Sequence, residues 1–291
     1  MTETNRNYPL TPREKILIFL NRCGANQFFH TQRDLHGVSK AAAHRAFHEV
    51  LSLLSEPEVI NELIKWPENC QSNAAKFQEI GGMISTCAIV DGFHVAYTPP
   101  HDDEDAYVNR HHSHSLNCMG LVGPDGTFYA VSTKSPGKWH DSRVMRDSQV
   151  WQAFEVQGQR PFPGAIVLGD SAYALTNWLI PPFPGDPEGA KGRFNKAHKK
   201  TRSFVERQIG IVKSRFYILK TGIRMKRPAD ASKLVQVCIG LHNLAIRLGD
   251  NGDDFEDDAD EEDADQAQAE EQGDAARQAQ TRRDELLRAF E

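Results

Sequence analysis

Two short apolar runs that each end on an aspartate constrain this chain more than any other feature. Met83-Ile84-Ser85-Thr86-Cys87-Ala88-Ile89-Val90 leads into Asp91, and Ala165-Ile166-Val167-Leu168-Gly169 leads into Asp170. Runs of this length read as buried strands. A carboxylate at the end of a buried strand is unfavourable unless something neutralises it. A third acid, Glu206, stands 36 positions beyond Asp170 in Ser203-Phe204-Val205-Glu206-Arg207-Gln208-Ile209-Gly210, which reads as helix. Three converging carboxylates would make an oxygen-rich pocket for a hard divalent cation such as Mg²⁺. Two such ions can clamp the attacking and leaving oxygens of a phosphodiester. The pattern points to metal-dependent cutting of nucleic acid.

The charge distribution agrees. The net charge of −6 hides a segregation. Residues 250–291 hold 17 Asp/Glu against 4 Lys/Arg, so the rest of the chain is basic. Residues 191–227 hold 13 Lys/Arg and a single acid, Glu206. A segment this basic is a phosphate-binding candidate, although a solvated helix face is the ordinary reading of a charge run. No stretch of about 18 apolar residues occurs, so no membrane span is expected. The N-terminus lacks the apolar segment of a secretory signal. Five cysteines without close pairing argue against a disulfide framework or a cysteine-rich zinc site, and fit a reducing cytosol or nucleus.

Along the chain, Thr11-Pro12-Arg13-Glu14 reads as a capping box opening a helix. Thr31-Gln32-Arg33-Asp34 repeats the start signal, Gly37 marks a turn, and Ser39 caps a helix striped by Phe47, Val50, Leu51 and Leu54. This outlines a helix-turn-helix whose exposed side offers Lys40, His44, Arg45 and His48. Residues 55–80 read as a mixed connector. Leu116–Val122 and Thr127–Thr133 form a hairpin about Gly123-Pro124-Asp125-Gly126. Asp141-Ser142 could cap a helix carrying Val144, Val150, Trp151 and Phe154. Prolines 161, 163, 181, 182, 184 and 187 mark loops. The Glu206 helix buries Val205, Ile209, Val212 and Phe216, and another carries Leu234, Cys238, Leu241, Ala245 and Leu248 at helical spacing. The acidic run from Asp250 is expected to be disordered, with a short helix over Arg282–Phe290. The expected organisation is a helical segment over 1–75, a nuclease domain over 76–249 and an acidic tail over 250–291.

On the Glu206 helix, Arg202, Gly210 and Lys213 fall within about 40° of Glu206. Arg202 and Lys213 would hold phosphates there, and Gly210 would permit close approach of a backbone or nucleic acid. Lys199, Lys200 and Arg215 extend the basic surface, with Lys40 and Arg45 as further DNA contacts. His112 and His114 would share a strand face, yet no further ligand follows at zinc spacing. His101-Asp102-Asp103-Glu104-Asp105 reads as a solvated loop. Asp141 is a fourth acid, either a helix cap or an auxiliary group, with His94 and His140 as further auxiliary candidates.

Ile89-Val90-Asp91-Gly92-Phe93-His94-Val95, His114-Ser115-Leu116-Asn117, Pro136-Gly137-Lys138-Trp139-His140-Asp141-Ser142-Arg143-Val144, Leu168-Gly169-Asp170-Ser171-Ala172-Tyr173 and Val205 through Phe216 resemble the PIF/Harbinger transposase-derived nucleases of the DDE superfamily. Cys238-Ile239-Gly240-Leu241-His242-Asn243 is similar to that family's closing helix. The match runs in order over roughly residues 83–247. It implies an α/β, RNase H-like mixed sheet flanked by helices and preceded by a small all-α helix-turn-helix segment. It also implies Asp91, Asp170 and Glu206 as the catalytic, metal-binding triad, Mg²⁺ or Mn²⁺, cleavage of DNA by activated water, and strand transfer by a 3′-hydroxyl. A Myb-like DNA-binding partner follows from the same resemblance, a nuclear site of action, reached through the cytoplasm, follows from the DNA substrate together with it, and a homo-oligomer is a further expectation. Three positions depart from the pattern. Phe93 stands where the family has Thr, Ala172 where it has Gly, and Ile209 near where it has Phe. None removes a ligand. The rival expectation is a domesticated transposase that survives as a non-catalytic DNA or chromatin adaptor. A nuclease acting on RNA or repair intermediates is the third.

Overall fold

The computed structural model describes residues 9–252, 254–255 and 274–291. Most of the acidic run, expected to be disordered, lies outside these residues. The centre is a five-stranded mixed sheet ordered β3-β2-β1-β4-β5: β1 Thr86–Ala96, β2 Ser115–Val122, β3 Phe128–Pro136, β4 Ile166–Leu168 and β5 Leu179–Ile180. β1, β2 and β3 form an antiparallel meander, and β4 and β5 add in parallel on the other side of β1. The hairpin turn closes as expected, with Gly123 N donating to Thr127 O at 2.9 Å. This is the α/β, RNase H-like arrangement that the resemblance implies.

Alternation along β1 divides the interior in two. Ile89, Phe93 and Val95 face a core shared with the long helix α8 (Gly189–Arg215) and with α10 (Pro228–Arg247). Ala88 and Val90 face a second core with α6 (Asp141–Arg146), Val150 and Phe154. The N-terminal helices α1 (Pro12–Ala25), α2 (Phe29–His36) and α3 (Lys40–Leu54) contribute Phe19, Phe47 and Leu51 to the first core. They are therefore packed into the same interior as the sheet. Asn243 of α10 ties the layers together. It accepts from Phe128 N at 2.8 Å and donates to Phe128 O at 2.7 Å and Leu63 O at 2.9 Å.

Several local expectations change. Thr11 and Glu14 do form the capping box of α1, and Ser39 caps α3 through Ala42 N at 3.1 Å. α2, however, begins two residues before Thr31, because Thr31 N and Gln32 N already bond Phe28 O. The connector over 55–80 folds as α4 (Pro57–Leu63) and α5 (Gln71–Gly81), and α5 crosses the boundary expected at residue 75. β1 continues past Asp91 to Ala96 because β2 pairs with it throughout, so Asp91 lies within the strand. The 111–114 histidines precede β2 in a bend where His112 has φ 56°, and do not share a strand face. His101–Tyr107 is a 3₁₀ helix. On α10 the buried face is Leu234, Val235, Cys238 and His242, with Leu248 79% exposed beyond the helix end. The C-terminal helix α11 spans Asp274–Leu287 and is followed by a 3₁₀ turn to Phe290. It returns to α8, where Arg193 Nε donates to Phe290 O at 2.7 Å.

His198 of α8 is buried and its Nε2 sits 3.0 Å from Ile180 O on β5. Burial pushes its pKa down to about 4, so it folds neutral. In the unfolded chain it titrates near 6.5. Between those values the unfolded state binds more protons, and this contribution to stability is lost as pH falls. A glutamine can keep the bond to Ile180 without titrating. We therefore expect the loss of unfolding free energy between pH 7.5 and 5 to be smaller in His198→Gln than in the wild type, by about 2 kcal/mol. Equal losses in urea titrations of the two proteins would contradict this assignment.

Candidate active site

The parallel pairing of β1 with β4 sets Ile89 opposite Leu168. Two residues further along, Asp91 and Asp170 therefore lie at one level on neighbouring chains. Both are buried, at 9% and 7% exposure. Asp91 projects to the α8 side of the sheet, where Arg202 meets it at 3.1 Å from Nη1 to Oδ2. The other nitrogen of the same guanidinium bonds Glu206 Oε1, one turn along α8. Asp170 Oδ1 accepts from Ala172 N at 3.0 Å, which fixes the turn after β4. The three expected acids thus come together, with Arg202 spanning two of them.

The electrostatics are unbalanced. Burial raises the Asp91 carboxyl well above its usual range; Arg202 opposes this, while Asp170, Glu206 and Asp141 add to it. Burial works against the Arg202 charge, yet Asp91, Glu206 and Asp170 outweigh it and raise Arg202 further. Four carboxylates share this region with the Arg202 guanidinium, so the donor set is chemically suited to a hard divalent cation. Among the described residues no three such side chains stand close enough together to hold one ion as placed. Arg202 is the group between Asp91 and Glu206, and an ion shared by them requires it to move.

Asp141 does not cap α6. His140 occupies the cap position but makes no capping bond to the helix, and Asp141 Oδ1 accepts from Asn117 Nδ2 at 2.8 Å. His94 lies 2.9 Å from Ser115 Oγ, and burial lowers its pKa. With Lys213, Lys220, Asn109 and His111 it lines a polar cavity of about 350 Å³. Lys213 is buried. Gly210 is buried too and is not presented to a nucleic acid. Lys199 and Lys200 are exposed on α8, as are Lys40 and Arg45 on α3, and His140 is exposed ahead of α6. Arg215 is committed elsewhere, with Nη1 and Nη2 at 2.6 and 2.9 Å from the Asp250 carboxylate. Sequence reasoning gave no role to Asn117, Gly92 or Tyr173, which contact or face these acids. All three lie inside the quoted motifs, and that was the only available signal.

Crowding predicts a stability effect. Asp170→Asn removes one like charge and retains the acceptor oxygen for Ala172 N. Without added metal, the variant should melt about 2–4 °C above the wild type, equivalent to about 1 kcal/mol. A melting temperature equal to or below that of the wild type would show that the carboxylates do not repel as described.

Residues 90–243 match the family model described as DDE superfamily endonuclease. Putative nuclease HARBI1 of Homo sapiens and of Mus musculus are each 30% identical over 251 residues, 84% of this chain and 70% of theirs. The Arabidopsis thaliana protein Antagonist of like heterochromatin protein 1 is 25% identical over 201 residues, 64% of this chain and 51% of its own. No solved structure matches significantly. The matched span contains both aspartates, Glu206 and the sheet that carries them, and the chain belongs to the DDE superfamily endonucleases of Harbinger transposase origin.

Proposed function

We propose that this protein is a metal-dependent DNA endonuclease that cuts phosphodiester bonds and joins strands through a 3′-hydroxyl. The observation that carries the reading is that one guanidinium bridges Asp91 of β1 and Glu206 of α8, with Asp170 at the end of β4 level with Asp91 and within electrostatic reach of it. Asp91, Asp170 and Glu206 would hold Mg²⁺ or Mn²⁺. Bound divalent ions would supply Lewis acidity at the phosphate and an activated water. The chain itself supplies the placement. Strand pairing fixes the two aspartates, α8 brings Glu206, and burial shields Asp91 from bulk water. Arg202 is a planar cation beside the acids, and its fork suits a phosphate. Exposed Lys199, Lys200, Lys40 and Arg45 would meet the DNA backbone. Lys213 would act from the buried end of the polar cavity, and Arg215 only once Asp250 releases it.

A nuclear protein that works with a Myb-like partner and as a homo-oligomer completes the proposal. The second reading is a non-catalytic chromatin adaptor. Two observations favour it: the similarity to a protein named for antagonising a heterochromatin protein, and the Arg202 bridge across Asp91 and Glu206.

Supercoiled plasmid incubated with Mg²⁺ or Mn²⁺ separates the two. The nuclease reading expects nicking by the wild type and a loss in Asp170→Asn larger than the roughly 10–100-fold typical of groups behind a ligand. If neither protein nicks, even with terminal-repeat DNA and a co-expressed Myb-like partner, the adaptor reading stands instead.

A further inference from the structure

Asp141 brings a fourth carboxylate to the acids of β1, β4 and α8, and the sheet is shaped to receive it. A Cβ on Gly92 would stand 2.5 Å from Asp141 Cγ, so any other residue beside Asp91 would displace this carboxylate. Asn117 fixes its direction. The amide is 1% exposed on β2, opposite His94, and its Nδ2 donates both to Trp139 O at 2.7 Å and to Asp141 Oδ1 at 2.8 Å. One amide thereby locks the loop that enters α6 and aims the second oxygen of Asp141. A fourth acid in a buried, negatively charged region destabilises the fold, and Asp141 does not offset this by capping its helix.

A second observation comes from Tyr173, which packs in the core on the α6 side of the sheet. The Tyr173 hydroxyl is 1% exposed and has no hydrogen-bond partner among the described residues. It lies within electrostatic reach of Asp141, Asp170 and Asp91. The ring cannot easily withdraw, because it packs on Gly169, where a Cβ would stand 2.7 Å from Tyr173 Cδ2. A buried hydroxyl left unpaired is unfavourable. A buried hydroxyl near carboxylates but bonded to none is placed for an oxygen that arrives with a ligand.

We infer that Asp141 is a fourth ligating carboxylate of the cation site, held by Asn117 and admitted by Gly92, with the Tyr173 hydroxyl serving an oxygen bound in the same pocket. This rests on the reading of Asp91, Asp170 and Glu206 as a divalent-cation centre. It assigns Asp141 to the ions themselves and separates it from the backbone-binding lysines.

The test is Mn²⁺ binding to the full chain, followed by the electron paramagnetic resonance signal of free Mn²⁺, with no DNA present. The variants are Asp141→Asn, Gly92→Ala, their double, Asp91→Asn, and Asp147→Asn at the far end of α6 as a control. Metal-free melting verifies that each is folded. Asp141→Asn should weaken Mn²⁺ binding by more than the roughly 10–100-fold typical of a group behind a ligand, and Gly92→Ala, which displaces the same carboxylate, should weaken it as well. The double should be no weaker than the worse single, because both act through one carboxylate, and Asp147→Asn should bind as the wild type does. If Gly92→Ala does not fold, Asp141→Asn decides alone. Binding lost in Asp91→Asn but unchanged in Asp141→Asn overturns the assignment of Asp141 and leaves the cation centre standing. A wild type that binds no Mn²⁺ overturns both.

Discussion

The site depends on the parallel pairing of β1 with β4. That register sets Asp91 and Asp170 at one level inside a hydrophobic sheet, where neither is adequately solvated. The adjoining arrangement answers this charge. α8 presents Arg202 to Asp91 and returns one turn later with Glu206. α6 presents Asp141 through the gap at Gly92. With three further carboxylates acting on Asp91, burial and like charges win over Arg202, and the Asp91 carboxyl is raised well above its ordinary value. A cluster in that condition is preorganised for added positive charge.

Arg202 has two roles in this account. As the chain stands, it partly neutralises Asp91 and bridges to Glu206, which lets the acids coexist without an ion. During chemistry the same guanidinium would be displaced from Asp91 and become available to a phosphate. One side chain would thus exchange a carboxylate for a phosphate oxygen, a substitution its planar fork makes without new geometry. The basic face of α8 is anchored at both ends by the C-terminal region, through Arg215 with Asp250 and Arg193 with the Phe290 carbonyl. The charge segregation evident in the sequence is therefore partly an internal ion pairing.

The strands β1 to β4, the hairpin and the three acids were legible because each rests on local signals: apolar runs, a turn tetrapeptide, and an acid on a basic helix. The capping box at Thr11 and the cap at Ser39 were legible for the same reason. What escaped depends on tertiary contact. α5 starts at Gln71, has no capping side chain at Cys70, and buries Asn73 and Phe77. β5 is two residues long and exists by pairing with β4. Leu248 continued the α10 spacing, but the helix ended before it. Arg202 was placed beside Glu206 by helical spacing, whereas its partner Asp91 is 111 residues away. Asp141 matched a cap by position, and only the strand register that brings Asn117 opposite His94 shows where its carboxylate goes.

The central claim is that the buried acids form a cation site held closed by Arg202. Crystals soaked in Mn²⁺ and measured for anomalous scattering test it most directly. The account predicts a peak between Asp91 and Asp170, with Arg202 parted from Asp91. A map without a peak at saturating Mn²⁺, with Arg202 still bridging Asp91 and Glu206, would contradict it.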